Sequence, residues 1–148
     1  MVILFDKYNL PEDVFEIIFA TNQQKIVAKL LFGELKNNGG ELTKTQMSFF
    51  ATKLHDGSLI TEIDEPGYRG QKVKISYNKR QFYDRILTPM KSMGMVDYDL
   101  YKKTYKISDS FNKILIKIGL MWSREIRKGV KEQEPQSHHD SFITPVDE

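Results

Sequence analysis

The chain contains no cysteine. Disulfides, thiol nucleophiles and cysteine-ligated zinc are therefore excluded, and the composition is compatible with the cytosol. Long apolar runs are also absent. Stretches such as Val14–Ala20 are broken by charge and fall far short of the roughly 20 residues that span a bilayer, so no membrane association is expected. The opening Met1-Val2-Ile3-Leu4-Phe5-Asp6 has no basic region, extended apolar stretch or small-residue cleavage site, and a secretory signal is not expected there. Histidine is scarce: His55, His138 and His139 are the three. His138-His139-Asp140 has metal-binding chemistry in principle, but it sits in a polar, acidic stretch where a solvated run is the simpler reading. Phosphate-binding glycine loops, dinucleotide fingerprints and nucleophile elbows are missing. Acidic pairs such as Glu62 and Asp64 fall on an expected turn or strand edge rather than in an acid–base constellation. These absences point away from an enzyme and call for no cofactor.

What is there is an ordinary globular composition in 148 residues, 40% of them hydrophobic. That is enough for one domain with a substantial core and a tail. Net charge is only +2, but its distribution is uneven. From Arg69 to Lys106 there are ten basic residues and three acidic ones, whereas the first twenty and the last seventeen residues are each net acidic. A local basic segment on a nearly neutral chain suits a phosphate-binding surface and equally a solvated basic face.

Apolar spacing and capping signals set out the elements. Val2–Phe5 has strand character. Pro11-Glu12-Asp13 opens a short helix, with proline in its first turn and Val14, Phe15, Ile17, Ile18 and Phe19 largely buried. Thr21–Gln24 is a capping-box pattern for a second helix, whose Ile26, Val27, Leu30, Leu31 and Leu35 recur at helical spacing until Asn37-Asn38-Gly39-Gly40. Glu41-Leu42 can add a very short strand. Thr43–Gln46 is a second capping box, followed by Met47, Phe50, Ala51 and Leu54 on one face. Between Asp56 and Tyr77, four turn-forming residues (Gly57, Pro66, Gly67, Gly70) flank two strand-like pieces, Leu59–Ile63 and Lys72–Ser76. A β-hairpin or a mobile loop fits this segment.

Asn78 can cap a further helix with Phe82, Tyr83, Ile86, Leu87, Met90 and Met93 inward, distorted by Pro89 and stopped by a left-handed Gly94. Met95–Asp99 and Thr104–Ile107 form a hairpin around Leu100–Lys103. A long amphipathic helix then starts at Ser108 or Ser110 and ends at Gly129, and residues 130–148 read as a disordered acidic tail. The fold class is α+β and mostly helical.

Three helices, a hairpin with a basic tip and a long helix follow the winged helix-turn-helix order. Residue stretches carry a resemblance as well. Leu87-Thr88-Pro89-Met90-Lys91-Ser92-Met93-Gly94-Met95-Val96 resembles the end of the recognition helix and first wing strand of MarR- and ArsR-type transcriptional regulators. Tyr105–Asp109 resembles their second wing strand leading into the dimerisation helix, and Leu42–Met47 the start of their second helix. The resemblance implies a winged-helix domain over residues 1–129: first two helices 21–54, an insertion 56–77, recognition helix 78–94, wing 95–107 and C-terminal helix 108–129. Such regulators have only a few residues where this chain has the twenty-two of the insertion. The resemblance further implies a cytoplasmic protein of a prokaryotic or archaeal-type cell, or of a virus of one, that binds double-stranded DNA as a homodimer.

Residue roles follow from that implication. Arg85 falls where those regulators often carry a DNA-contacting arginine. Arginine pairs bidentately with guanine, and Gln81 has the donor and acceptor to pair with adenine. Thr88 and Arg80 lie beside them, and Asp84 works against phosphate unless it orients Arg85 or pairs with a neighbouring base. Thr43, Lys44, Lys79, Lys91, Lys102 and Lys103 are the expected backbone contacts. Arg69, Lys72 and Lys74 on the insertion either add to these or decorate the surface. In the last helix, Phe111, Ile114, Leu115, Ile118, Met121 and Trp122 either close the core or pair with a second copy; the width of the stripe favours pairing. Two other functions remain open: a winged helix used as a protein-interaction module in a larger assembly, and a single-strand or RNA binder. Six tyrosines (Tyr68, Tyr77, Tyr83, Tyr98, Tyr101, Tyr105) interleave with the basic residues, and stacking on unpaired bases or packing a sheet would each use them.

Overall fold

The structure is a computed structural model that describes residues 5–129 and 142–146. It is α+β: helices dominate, with a three-stranded antiparallel sheet and a separate two-stranded hairpin. The chain divides into two units, Met1–Ile114 and Leu115–Glu148. The strand expected at Val2–Phe5 falls almost wholly outside the described residues, as do most of the tail and His138-His139-Asp140.

α1 (Val14–Ile18) starts later than its proline suggested. Asp13, not Pro11, provides the cap: its carboxylate accepts the Phe15 N–H at 2.9 Å. The helix is also less buried than expected, with only Phe19, just past its end, in the core. Five residues make barely more than one turn, too few to turn a whole apolar run inward. Asp13 also receives the Lys29 ammonium at 2.7 Å. Partial burial works against the Asp13 carboxylate, but hydrogen bonds from Lys29 and the Phe15 N–H, with the charges of Lys29 and Lys25, hold its pKa below the ordinary range.

α2 (Asn22–Asn37) is capped by the Thr21 hydroxyl, which accepts the Gln24 N–H and so makes one of the two bonds of a capping box. At α3 (Lys44–Asp56), Thr43 and Gln46 make both. Each such cap is worth about 1 kcal/mol. α3 ends on Gly57 in the left-handed conformation. Val27, Ala28, Leu31 and Leu35 of α2 meet Met47, Phe50, Ala51 and Leu54 of α3 in one buried cluster.

The next helical stretch comes in three consecutive pieces: α4 (Lys79–Gln81), a π-helical segment (Phe82–Leu87) and α5 (Thr88–Ser92). The distortion expected from Pro89 is thus a widened turn. The Thr88 N–H donates to the Tyr83 carbonyl five residues back, and Pro89, which has no N–H, follows directly. Phe82, Ile86, Leu87 and Met90 are fully buried, and Phe82 packs its ring 5.7 Å from that of Phe50. Gly94 (φ 82°) closes the stretch: its N–H donates to the Lys91 carbonyl, and that of Met95 to Met90.

β1 (Glu41–Thr43), β4 (Val96–Asp99) and β5 (Thr104–Ile107) form the larger sheet in the order β1-β5-β4, with Leu42 and Tyr98 both opposite Tyr105. Within the insertion, β2 (Leu59–Glu62) and β3 (Lys72–Ile75) form the hairpin expected from the strand patterns. α6 (Ser110–Arg127) begins where the Phe111 N–H donates to the Gly94 carbonyl at 3.0 Å.

Candidate nucleic-acid interface

Asn78 caps the stretch formed by α4, the π segment and α5, the third helical stretch counting from α2: its side-chain oxygen accepts the Gln81 N–H at 3.1 Å. With the apolar row committed to the core, Arg80, Gln81, Asp84, Arg85, Thr88, Lys91 and Ser92 are left exposed. Arg80 Nε lies 3.7 Å from Asp84 Oδ2, so the one carboxylate in this row has a neighbouring base. Both side chains are solvated, and the pair contributes at most a few tenths of a kcal/mol. Lys79 is placed differently from its neighbours. It is half-buried, its Nζ donates to Thr52 Oγ1 at 3.1 Å and its N–H to His55 Nδ1 at 3.2 Å. It ties α4 to α3 rather than standing free in the outer row.

Lys91 connects this stretch to the sheet. Its ammonium lies 5.6 Å from the Tyr98 ring centre and 5.9 Å from that of Tyr105, and the two rings are 4.6 Å apart. Burial raises the Tyr105 pKa, and the nearby Tyr83 and Tyr98 push it the same way, so the Tyr105 phenol stays neutral at ordinary pH, and its ring and that of Tyr98 face the ammonium as a cation–π surface. Of the six tyrosines singled out above, Tyr77 and Tyr105 are buried, Tyr83 and Tyr98 half-buried, and only Tyr68 and Tyr101 exposed.

The β4–β5 loop Leu100–Lys103 is fully exposed and tightly held. Asp99 Oδ1 accepts the N–H groups of Tyr101 and Lys102 at 2.9 and 3.1 Å, and Thr104 Oγ1 donates to the Lys102 carbonyl at 2.9 Å. Lys103 takes a left-handed backbone with φ 51°. Its carbonyl accepts the N–H of Lys44 at 2.9 Å. The start of α3, with exposed Thr43 and Lys44, therefore adjoins the base of the lysine-bearing loop.

Two of the three basic residues of the insertion lie beside acids. Arg69 Nε is 3.1 Å from Asp64 Oδ1, Lys72 is opposite Glu62, and Lys74 is opposite Ile60. Residues 56–77 hold four acidic side chains against three basic ones. The loop is pinned by Lys25, whose ammonium is 3.1 Å from Glu65 and 3.3 Å from Glu16. Partial burial disfavours that ammonium, but hydrogen bonds and charge from Glu65 and Glu16 outweigh it and raise its pKa. An open cavity of about 170 Å³ adjoins, lined by Ile26, Leu30 and the acidic 62–65 turn; it is small beside the roughly 300 Å³ or more of ordinary ligand sites.

In α6 no residue is buried. Ile114, Leu115, Ile118, Met121 and Trp122 are all exposed, while Phe111 is half-buried against the core. Ile116 and Leu120, on the opposite side of the helix, are exposed too. Among the described residues, no group of three acidic or histidine side chains is placed to hold a metal, and no helix is long and apolar enough to cross a membrane. Compared with known proteins, the chain matches no family model, no curated protein and no solved structure.

Sequence reading missed two features of this surface. One is the Lys91–Tyr98–Tyr105 cluster, which depends on a contact between a helix and a sheet. The other is the pair Leu100 and Tyr101, apolar residues at a turn position, where the mismatch between residue type and turn was itself a usable signal.

Proposed function

We propose that this chain is a winged-helix protein that binds double-stranded DNA in the manner of a transcription regulator. The third helical stretch enters the major groove, and the β4–β5 hairpin, as the wing, grips the backbone. The observation that carries the reading is the exposed row Arg80, Gln81, Arg85, Thr88 and Lys91, lying back to back with a fully buried apolar row. Each of these five side chains has a hydrogen-bond donor, which is what base edges and phosphates in a groove about 12 Å wide require, and the row's one carboxylate, Asp84, lies beside Arg80. Lys44, Lys102 and Lys103 supply further phosphate contacts at the wing and the start of α3. Lys79, engaged with Thr52, and the charge-offset Arg69 and Lys72 do not belong to this set. α6 pairs with the same helix of a second copy, because its apolar stripe is exposed among the described residues. The test is fluorescence anisotropy with random duplex DNA at rising salt. Affinity should fall steeply between about 50 and 200 mM, as counterion release requires. A protein that binds no duplex at about 50 mM salt, yet captures another protein through α6, is an interaction module instead.

A further inference from the structure

The wing tip has more apolar surface than phosphate binding needs. Tyr101 is 98% exposed and Leu100 is 76% exposed, the first two residues of a four-residue loop. Neither supports the fold, since side chains so exposed have almost no contacts to lose. The loop that carries them is nonetheless ordered by four hydrogen bonds, two to Asp99 Oδ1, one from Thr104 Oγ1 and one from the Lys44 N–H. Ordering in advance means that binding does not have to freeze the loop. Lys103, two residues after Tyr101, is the one non-glycine residue with positive φ among the described residues. Glycine adopts that backbone without strain, so a cation stands here where the backbone alone would favour no side chain.

Resting on the duplex-binding reading above, we propose that Leu100 and Tyr101 form an apolar wedge that enters the minor groove and parts a base step, with Lys102 and Lys103 on the flanking phosphates. The minor groove is about 6 Å wide and admits a turn tip with flat or branched side chains better than a helix. Large apolar side chains inserted between base pairs unstack them and kink the duplex toward the major groove. A ring that enters a step also recovers stacking on the bases it separates. The wedge makes the wing a reader of deformability: flexible pyrimidine–purine steps under the tip should be favoured with no hydrogen bond to their bases.

The experiment is energy transfer between dyes on the two ends of a short duplex, titrated with the full chain. The unmodified protein should bend the duplex. Leu100→Ser with Tyr101→Ser should fold normally, abolish the bend and weaken binding roughly tenfold or more, leaving the slope of log affinity against log salt unchanged. Lys102→Ala with Lys103→Ala should do the opposite, lowering that slope by up to about two while the bound duplex stays bent. Tyr101→Phe should bend DNA as the parent does, because the wedge uses the ring and not the hydroxyl. A bound but straight duplex, or a Leu100/Tyr101 double variant that binds and bends like the parent, overturns the wedge and leaves duplex binding standing. Absence of duplex binding by the unmodified chain overturns both.

Discussion

The backbone N–H of Lys44 donates to the carbonyl of Lys103 at 2.9 Å, joining the first residue of α3 to the last residue of the β4–β5 loop. A helix start leaves four N–H groups without intrahelical partners, and one of these is met here from a strand connection far along the chain. Position 44 tolerates proline, since it is the first helical residue and Thr43 before it is already extended (φ −67°, ψ 161°). Lys44→Pro should keep α3 but release the loop, seen as faster amide hydrogen exchange at Lys102–Thr104. Lys44→Ala, which keeps the N–H, should not. Equal exchange in the two variants would mean that this bond does not hold the loop.

Gly94 is the tightest glycine. With φ 82°, a Cβ built there would sit 3.0 Å from Ser110 Cβ and 3.1 Å from the Phe111 nitrogen. Gly94→Ala should therefore destabilise the protein by more than about 1 kcal/mol in chemical denaturation. Gly33, inside α2 with nothing within 4 Å of its would-be Cβ, gives the opposite sign. Gly33→Ala should stabilise by about 0.5–1 kcal/mol. A neutral Gly94→Ala would contradict the close approach of α6 to the end of α5.

Gly94, the Thr43–Gln46 capping box, the Asn78 cap and the inner row of the third helical stretch were all legible in the sequence, because each is a short-range rule acting within about five residues. The effect of Pro89 was legible as a distortion but not as a π segment, since that depends on which carbonyl the Thr88 N–H selects. The burial of α1 was misjudged because its five apolar residues in six looked like a core run, whereas Asp13 starts the helix late and leaves too few turns. Lys25 with Glu65, forty positions apart in the chain, has no local signature. Neither do the offset of Arg69 by Asp64 across a turn and the inward bond of Lys79 to Thr52. Hence basic residues that counted alike in sequence differ in how free their charges are.

Asp99 sets a pH dependence at the β4–β5 loop. The Lys102 N–H bond is the largest influence, opposed by slight desolvation and reinforced by the Tyr101 N–H and the charges of Lys102 and Lys106, and together they lower the Asp99 pKa. A folded-state pKa below the unfolded one means the loop's extra stability is present above the ordinary aspartate value, about 3.9, and is lost as pH falls through the lower folded value. Carboxyl-carbon NMR should give Asp99 a midpoint below that of an aspartate in an unstructured peptide, with the Tyr101 and Lys102 amide shifts following the same curve. A midpoint at or above the ordinary value would contradict the capping role.

Ile118 and Trp122 of α6 are 46% and 65% exposed. At tens of micromolar the chain should sediment at twice its 17.3 kDa mass. Because these side chains are not buried in the single chain, Ile118→Ser with Trp122→Ser should yield folded monomers rather than unfolded protein. A parent that sediments as a monomer at that concentration rules out the dimer.

The claim at the centre of this account is that the outer row of the third helical stretch reads duplex DNA. Selection of bound sequences from a random double-stranded pool tests it most directly, run in parallel with the unmodified chain and with Arg85→Ala, Gln81→Ala and Thr88→Ala combined. The account predicts an enriched motif for the unmodified chain, and loss of preference at the contacted base pairs in the triple variant, with Arg85→Ala alone costing roughly 1–3 kcal/mol on the selected site. No enriched motif, or one whose base preferences survive the triple substitution unchanged, would contradict it.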